Sequence, residues 1–171
     1  MAKKKHTAYL LTGGNIEPRY DLIRQAAVMI DILAGSLYKC SSVYESEAWG
    51  FETDQKFLNQ ILRIETYLAP VELLECVLEI ETKLGRIRNR NGQFESRRMD
   101  IDILYFDNEI IDTPRLVVPH PRLHMRRFTL MPLAEIAPDF VHPVLKKTNI
   151  ELLAALDDHQ EVMVLRRDEE R

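Results

Sequence analysis

The run Met99-Asp100-Ile101-Asp102-Ile103-Leu104 constrains this chain more than any other stretch. Large apolar residues alternate there with two aspartates, the period of a half-buried strand. Residues i and i+2 of a strand point the same way, so Asp100 and Asp102 share one face. A rise of about 3.3 Å per residue puts their Cβ atoms roughly 6–7 Å apart. The fold must therefore contain a sheet, and one strand of it carries paired negative charge.

Two carboxylates on one face repel unless something positive lies between them, and a hard divalent cation such as Mg²⁺ fits. Arg86, Arg88, Arg90, Arg97 and Arg98 stand close by, more cations than two aspartates need. Guanidinium forks match phosphate oxygens and keep their charge. The combination points to a strongly anionic third party, most simply a metal-bound polyphosphate. The solvent face of an edge strand would also accept two aspartates. Five arginines within some twenty residues favour the ligand, because blocks of like charge repel without one.

The chain has 171 residues, 46% hydrophobic and 29% charged, an ordinary globular composition. One domain over 1–171 is expected, with 1–6 as a flexible basic tail. A net charge of -4 argues against general nucleic-acid binding. Cys40 and Cys76 lack the spacing of a zinc or redox pair and are expected as buried free thiols, suited to a reducing cytoplasm. Lys3-Lys4-Lys5 is not followed by an apolar signal region, and no long apolar run would span a membrane. A cytoplasmic location is the expectation.

In chain order, Thr7–Thr12 reads as a strand cut off by a tight turn at Gly13-Gly14-Asn15. A helix follows from Glu17 or Pro18 to Leu33, with Leu22, Ile23, Ala26, Ile30 and Leu33 on its buried stripe. Leu37–Glu47 reads as a second strand, Trp49-Gly50-Phe51-Glu52 as a loop, and Phe57–Glu65 as a third strand. Trp49, Phe57 and Asn59 could form a pocket for a flat heterocycle or simply pack. Pro70 starts a second helix with Val71, Leu74, Val77, Leu78 and Leu84 inward, ended by Gly85 as a left-handed cap. After the arginine loop come the Asp100–Phe106 strand, a turn at Asp107–Glu109 and a short Ile110-Ile111 return. Val117–Pro121 holds His120 between prolines. A helical stretch from Arg126 to Ile136 is expected to be interrupted by Pro132. Thr148 is the expected N-cap for a helix through Leu156, and Glu161–Arg166 could add an edge strand. The order β-α-β-β-α-β fits an α+β, ferredoxin-like α/β sandwich, an antiparallel sheet with two helices over one face.

The chain resembles the 6-hydroxymethyl-7,8-dihydropterin pyrophosphokinase family of folate biosynthesis. Arg97-x-x-Asp100-Ile101-Asp102-Ile103-Leu104 looks like its signature. Gly13-Gly14-Asn15, Phe57-Leu58-Asn59, Leu68-Ala69-Pro70, Gly85-Arg86-x-Arg88, Val118-Pro119-His120 and Pro132-Leu133-x-Glu135-Ile136-Ala137-Pro138 are similar too. The resemblance implies transfer of pyrophosphate from ATP to the pterin's hydroxymethyl oxygen, releasing AMP. It implies that Asp100 and Asp102 hold two Mg²⁺ ions, with Arg86 and Arg97 beside the transferred group. Glu81, Arg86, Arg97, Ile103, Arg115, His120 and Arg126 would contact the nucleotide. Ser46, Ala48, Trp49, Phe57, Asn59 and Phe128 would form the pterin site, with Phe57 and Phe128 sandwiching the ring. The implied partners are these small molecules, with no nucleic acid, membrane or obligate protein partner.

The chain departs from the family pattern at Ser46-Glu47-Ala48-Trp49, Phe94-Glu95-Ser96, Val117 and Pro121. A catalytically silent nucleotide- or metal-binding module and an RNA-binding domain are the competing readings. The presence of Asp100, Asp102 and Arg97 weighs against the first, and the acidic total against the second.

Overall fold

The computed structural model describes residues 2–86 and 96–166. Arg88, Arg90, Phe94 and Glu95, singled out in the sequence, lie outside the described residues. The first strand, β1 (His6–Gly14), leads into α1 (Arg19–Leu33), then β2 (Ser36–Cys40), β3 (Tyr44–Ser46) and β4 (Phe57–Thr66). Next come α2 (Pro70–Lys83), β5 (Asp100–Phe106) and a two-stranded ribbon of β6 (Ile111–Asp112) and β7 (Val117–Val118). A 3₁₀ turn at Leu123–Met125 precedes α3 (Arg127–Ile136), α4 (Asn149–Ala155) and β8 (Val162–Val164).

The main sheet runs β5-β1-β4-β3-β8, with β2 also paired to β4, and every pairing is antiparallel. Taking β2 and β3 as one interrupted strand recovers the ferredoxin-like order. The expected single strand Leu37–Glu47 breaks because Ser41 places its hydroxyl in the ladder. Its Oγ accepts the Ile61 N–H at 2.9 Å, while the Ser42 N–H and Oγ–H donate to Glu135 Oε1, each at 2.9 Å.

Helices cover both faces rather than one. Leu10, Leu58, Leu62 and Ile64 pack under α1 and α2, while Tyr9, Leu11, Ile61 and Tyr105 pack under α3 and α4. Each fully buried large apolar side chain contributes roughly 1.5–3 kcal/mol. In α1 the expected stripe holds except at Leu33, which is exposed; Ala34, at the helix end, is buried instead. In α2 the buried stripe is Leu73, Val77 and Ile80, with Leu84 just past its end; Val71 is exposed and Leu74 and Leu78 are half-buried, turned one position toward the site below. Gly85 is the left-handed cap expected, at φ +90°. Thr148 caps α4 by accepting the Glu151 N–H, and Glu151 returns the bond to the Thr148 N–H. α3 runs through Pro132 without a break, held by Leu130, Leu133 and Ile136 against the sheet.

Gly13 and Gly14 are not a turn. They are the last two residues of β1, and their constraint is close approach. A Cβ on Gly13 would lie 2.7 Å from Asn59 Oδ1, and one on Gly14 2.2 Å from the Arg98 carbonyl oxygen. Cys40 is exposed and Cys76 half-buried, because β2 lies at the rim of the sheet and Cys76 on the flank of α2. His6 belongs to β1, not to a loose tail, with its Nδ1 2.7 Å from the Asp107 carboxylate. Among the described residues no helix is long and apolar enough to cross a membrane.

Candidate active site

β5 alternates as its sequence requires. Ile101 and Ile103 are buried in the core, and the Asp100 and Asp102 side chains face a cavity of about 400 Å³. Its walls come from the end of β1, the β3–β4 connection, α2, β5, β7 and the start of α3.

The two aspartates sit in opposite electrostatic states. Asp100 Oδ1 accepts from Arg86 Nη1, and Oδ2 accepts from Arg97 Nη1 at 2.8 Å. Burial alone would raise the Asp100 carboxyl, but Arg97 and Arg86 hold it below the usual carboxylate range. Among the described residues Asp102 has no such clamp. Burial first, then the Asp100 charge, push it up to about 8, against the pull of Arg126. A half-buried oxygen donor beside a second carboxylate is a place for a hard cation, and these residues fit Mg²⁺. Mg²⁺ commonly takes one or two carboxylates and completes its shell with water and substrate phosphates.

The arginines are braced from behind. Glu81 is 1% exposed, and its Oε1 accepts from Arg86 Nη1 at 2.8 Å and from the Ile101 N–H at 2.7 Å. Asn15 accepts the Arg97 N–H at 2.9 Å through Oδ1 and donates its own N–H to the Arg97 carbonyl at 3.0 Å. His120 Nδ1 accepts the Arg122 N–H at 3.1 Å, so the proton of the neutral ring sits on Nε2, 3.9 Å from Asp102. Burial, then Arg126 with Arg122 adding, hold His120 at about 4, leaving it a neutral donor at pH 7. Burial also lowers Arg126, with Arg122 and Arg97 adding and Asp102 opposing. Such a density of cations calls for an anion.

The other end of the cavity is aromatic. Phe57, Phe128 and Trp49 line it, with the Arg126 guanidinium 4.5 Å from the Trp49 ring centroid and 5.5 Å from that of Phe128. Asn59, 3% exposed, donates Nδ2–H to Ser46 Oγ at 3.0 Å. The heterocycle-pocket alternative left open by the sequence therefore has a cavity to support it.

Glu81, Arg86, Arg97, Ile103, Arg115, His120 and Arg126 all line this one cavity, as do Ser46, Trp49, Phe57, Asn59 and Phe128. Arg115 sits at the rim, 3.3 Å from Glu75. Ala48 is not among the lining residues; its carbonyl is turned to Gln160 instead. Sequence reasoning missed Phe51, edge-on to Phe57 at 6.0 Å, and Arg122, two residues after His120. It also placed Leu74 and Leu78 in the core, although both reach this cavity. Among the described residues the one cluster of three metal-ligating side chains lies elsewhere, at His6, Asp107 and Glu109, where His6 and Asp107 already bond each other.

Residues 9–138 match the model of the family described as 7,8-dihydro-6-hydroxymethylpterin-pyrophosphokinase (HPPK). The chain belongs to this family. Membership makes it a pyrophosphokinase of folate biosynthesis, as the signature around Asp100 and Asp102 implied. A relative from Aquifex aeolicus is 40% identical over 141 residues, which is 82% of this chain and 86% of that one. One from Bacillus subtilis is 44% identical over 130 residues, covering 75% and 77%. Both are named 2-amino-4-hydroxy-6-hydroxymethyldihydropteridine pyrophosphokinase. A solved Plasmodium falciparum HPPK-DHPS structure with SDX-DHP superposes with a TM-score of 0.73 at 16% identity, over 90% of this chain and 46% of that chain. A second, HPPK-DHPS in complex with substrates, gives 0.70 at 14% identity, over 88% and 43%. The pyrophosphokinase thus spans somewhat less than half of these solved chains, and they support its fold alone.

Proposed function

We propose that the cavity binds ATP at its charged end and 6-hydroxymethyl-7,8-dihydropterin at its aromatic end, and transfers the β,γ-pyrophosphoryl group between them. The observation that carries this is the contrast between Asp100, clamped by Arg86 and Arg97, and the half-buried Asp102, which has no such clamp among the described residues, in one cavity with an aromatic slot. The hydroxymethyl oxygen attacks the β-phosphorus, the bond from that phosphorus to the α,β-bridging oxygen breaks, AMP leaves, and the hydroxyl proton goes to solvent or phosphate. Such transfers depend on in-line positioning and on neutralising charge at the bridging oxygens.

Phe57 and Phe128 stack the pterin, a contact worth about 0.5–1.5 kcal/mol beyond area burial. Asn59 and Ser46 read its edge, and Trp49 closes over it. Arg86 and Arg97 exchange Asp100 for phosphate oxygens, the neutral His120 donates through Nε2–H, and Arg126 and Arg115 contact the nucleotide. Ile103 lines the adenine side. Mg²⁺, two ions by family resemblance, would be held by Asp100, Asp102 and the triphosphate and would supply charge neutralisation to both bridging oxygens.

The test is turnover of ATP with Mg²⁺ and the pterin, resolving AMP from ADP. Pterin-dependent AMP supports the reading. ADP would mean transfer of a single phosphoryl group, and no turnover with retained ATP binding would mean a silent module. Asp102→Ala should abolish turnover with the fold intact; undiminished turnover would overturn the carboxylate assignment.

A further inference from the structure

The family match ends at residue 138, yet the chain beyond it returns to the aromatic end of the cavity. After α4 the backbone runs alongside the outer rim of the sheet and joins it there as β8. Three sets of contacts fasten it. Asp158 Oδ2 accepts the N–H of Arg127 at 3.1 Å, the first residue of α3, flanked by Arg126 and Phe128. Asp158 Oδ1 accepts the Gln160 N–H at 2.9 Å. The Gln160 side-chain amide donates through Nε2 to the carbonyls of Glu47 at 2.8 Å and Ala48 at 3.2 Å. β8 then pairs with β3, placing Val162 opposite Ser46, and the Leu165 N–H donates to the Val43 carbonyl at 2.8 Å.

These contacts reach both walls of the aromatic slot. One wall is the segment Ser46–Trp49, which has no ladder of its own past Ser46. The other is the start of α3, which carries Arg126 and Phe128. Arg126 over the Trp49 ring is where the walls meet. A loop carbonyl held by a fixed donor has already lost freedom that it would otherwise give up when the ligand binds. The Gln160 amide is spent on this: Nε2 serves two carbonyls, while its Oε1 is buried with no hydrogen-bond partner among the described residues.

We infer that the C-terminal strap, through Asp158 and Gln160, positions the walls of the ring slot, making these two positioning residues for the heterocyclic substrate. The inference rests on the assignment of that slot to the pterin. It follows that removing either anchor weakens pterin binding and leaves ATP binding at the far end unchanged. Trp49 is the only tryptophan of the chain, so its fluorescence reports the wall directly.

The experiment compares Gln160→Ala, Gln160→Glu, Asp158→Ala, Phe57→Ala and His159→Ala in the full chain. His159 lies on the same strap with a side chain 92% exposed and serves as control. Losing two ordinary hydrogen bonds predicts about a tenfold rise in pterin KM for Gln160→Ala, with kcat and ATP KM within about twofold. Trp49 emission should shift to the red and become more open to acrylamide quenching. Gln160→Glu keeps the shape but replaces the donor with a carboxylate facing two carbonyls, so it should be at least as impaired as Gln160→Ala. A Glu variant that behaves as wild type would overturn the donor role. Unchanged pterin KM in Gln160→Ala and Asp158→Ala, with a raised KM in Phe57→Ala, would overturn the strap and leave the slot assignment standing. Equal rises in both substrates' KM values would overturn it too, as general loosening. No effect in Phe57→Ala would overturn the slot assignment and the strap's role with it.

Discussion

Glu81 offers the sharpest test of how the charged end of the cavity is built. Its carboxylate is 1% exposed, and one oxygen takes both the Arg86 guanidinium and the Ile101 N–H. Glu81→Ala removes a charge-assisted bond, worth about 1.5–3 kcal/mol, and leaves a buried N–H without its acceptor, at about 1–3 kcal/mol. Arg86 keeps Asp100 as a partner and is 17% exposed, so part of the first loss is recovered. The net expectation is a destabilisation of about 3–5 kcal/mol. Glu81→Gln keeps an oxygen for the N–H while losing the charge, and should cost about 1–2 kcal/mol. Urea unfolding, extrapolated linearly to water, measures both differences. ATP KM should rise in Glu81→Gln, because Arg86 loses the group that aims it. A loss below about 1 kcal/mol for Glu81→Ala, or a Gln variant as unstable as the Ala one, would refute the bracing argument.

His142 predicts a pH dependence of stability. Burial first, then the nearby His124, lower it from 6.5 to about 4 in the folded protein. Its Nδ1 accepts the N–H groups of Val144 at 3.2 Å and Leu145 at 3.0 Å, so a proton there would face two donors. The unfolded chain binds the proton first, so stability is full above about pH 6.5 and falls by about 3 kcal/mol as pH drops to about 4. His142→Asn should flatten that part of the curve in urea titrations at several pH values; a parallel curve counts against it. Phe57→Ala and Phe128→Ala should each raise pterin KM by about tenfold with ATP KM unchanged. Isothermal titration with the pterin alone would show whether binding itself is lost. Gly14→Ala should destabilise by more than about 2 kcal/mol because the Arg98 backbone cannot give way; a thermal melt unchanged from wild type would restore the tight-turn reading.

What could be read from the chain was local in sequence. Met99–Leu104 announced its strand by alternation alone, and Gly85 and Thr148 marked helix ends through constraints acting within a few residues. The helix faces were read less well. On α2 the periodicity was read with Leu74 inward and without Leu73, and only the position of the cavity decides that Leu73 enters the core while Leu74 lines the cavity. Gly13 and Gly14 misled for a related reason, since adjacent glycines resemble a turn. Their actual constraints come from Asn59 and Arg98, distant residues brought close by β4 and β5. The Gln160 clamp on Glu47 and Ala48 joins segments more than a hundred positions apart and left no pattern to find. Family resemblance supplied most of the residues that line the cavity; Ala48, which it also implied, is not among them and turns its carbonyl to Gln160.

β5 lies at the end of the sheet, where a strand normally offers open N–H and C=O groups to any passing chain. Here the Ile101 N–H is taken by Glu81, and the Leu104 carbonyl accepts the His120 N–H at 2.9 Å. The segments that build the charged end of the cavity therefore also close this border against a foreign strand. Aggregation resistance and substrate handling are drawn from the same few atoms, so a substitution at Glu81 would endanger solubility as well as turnover.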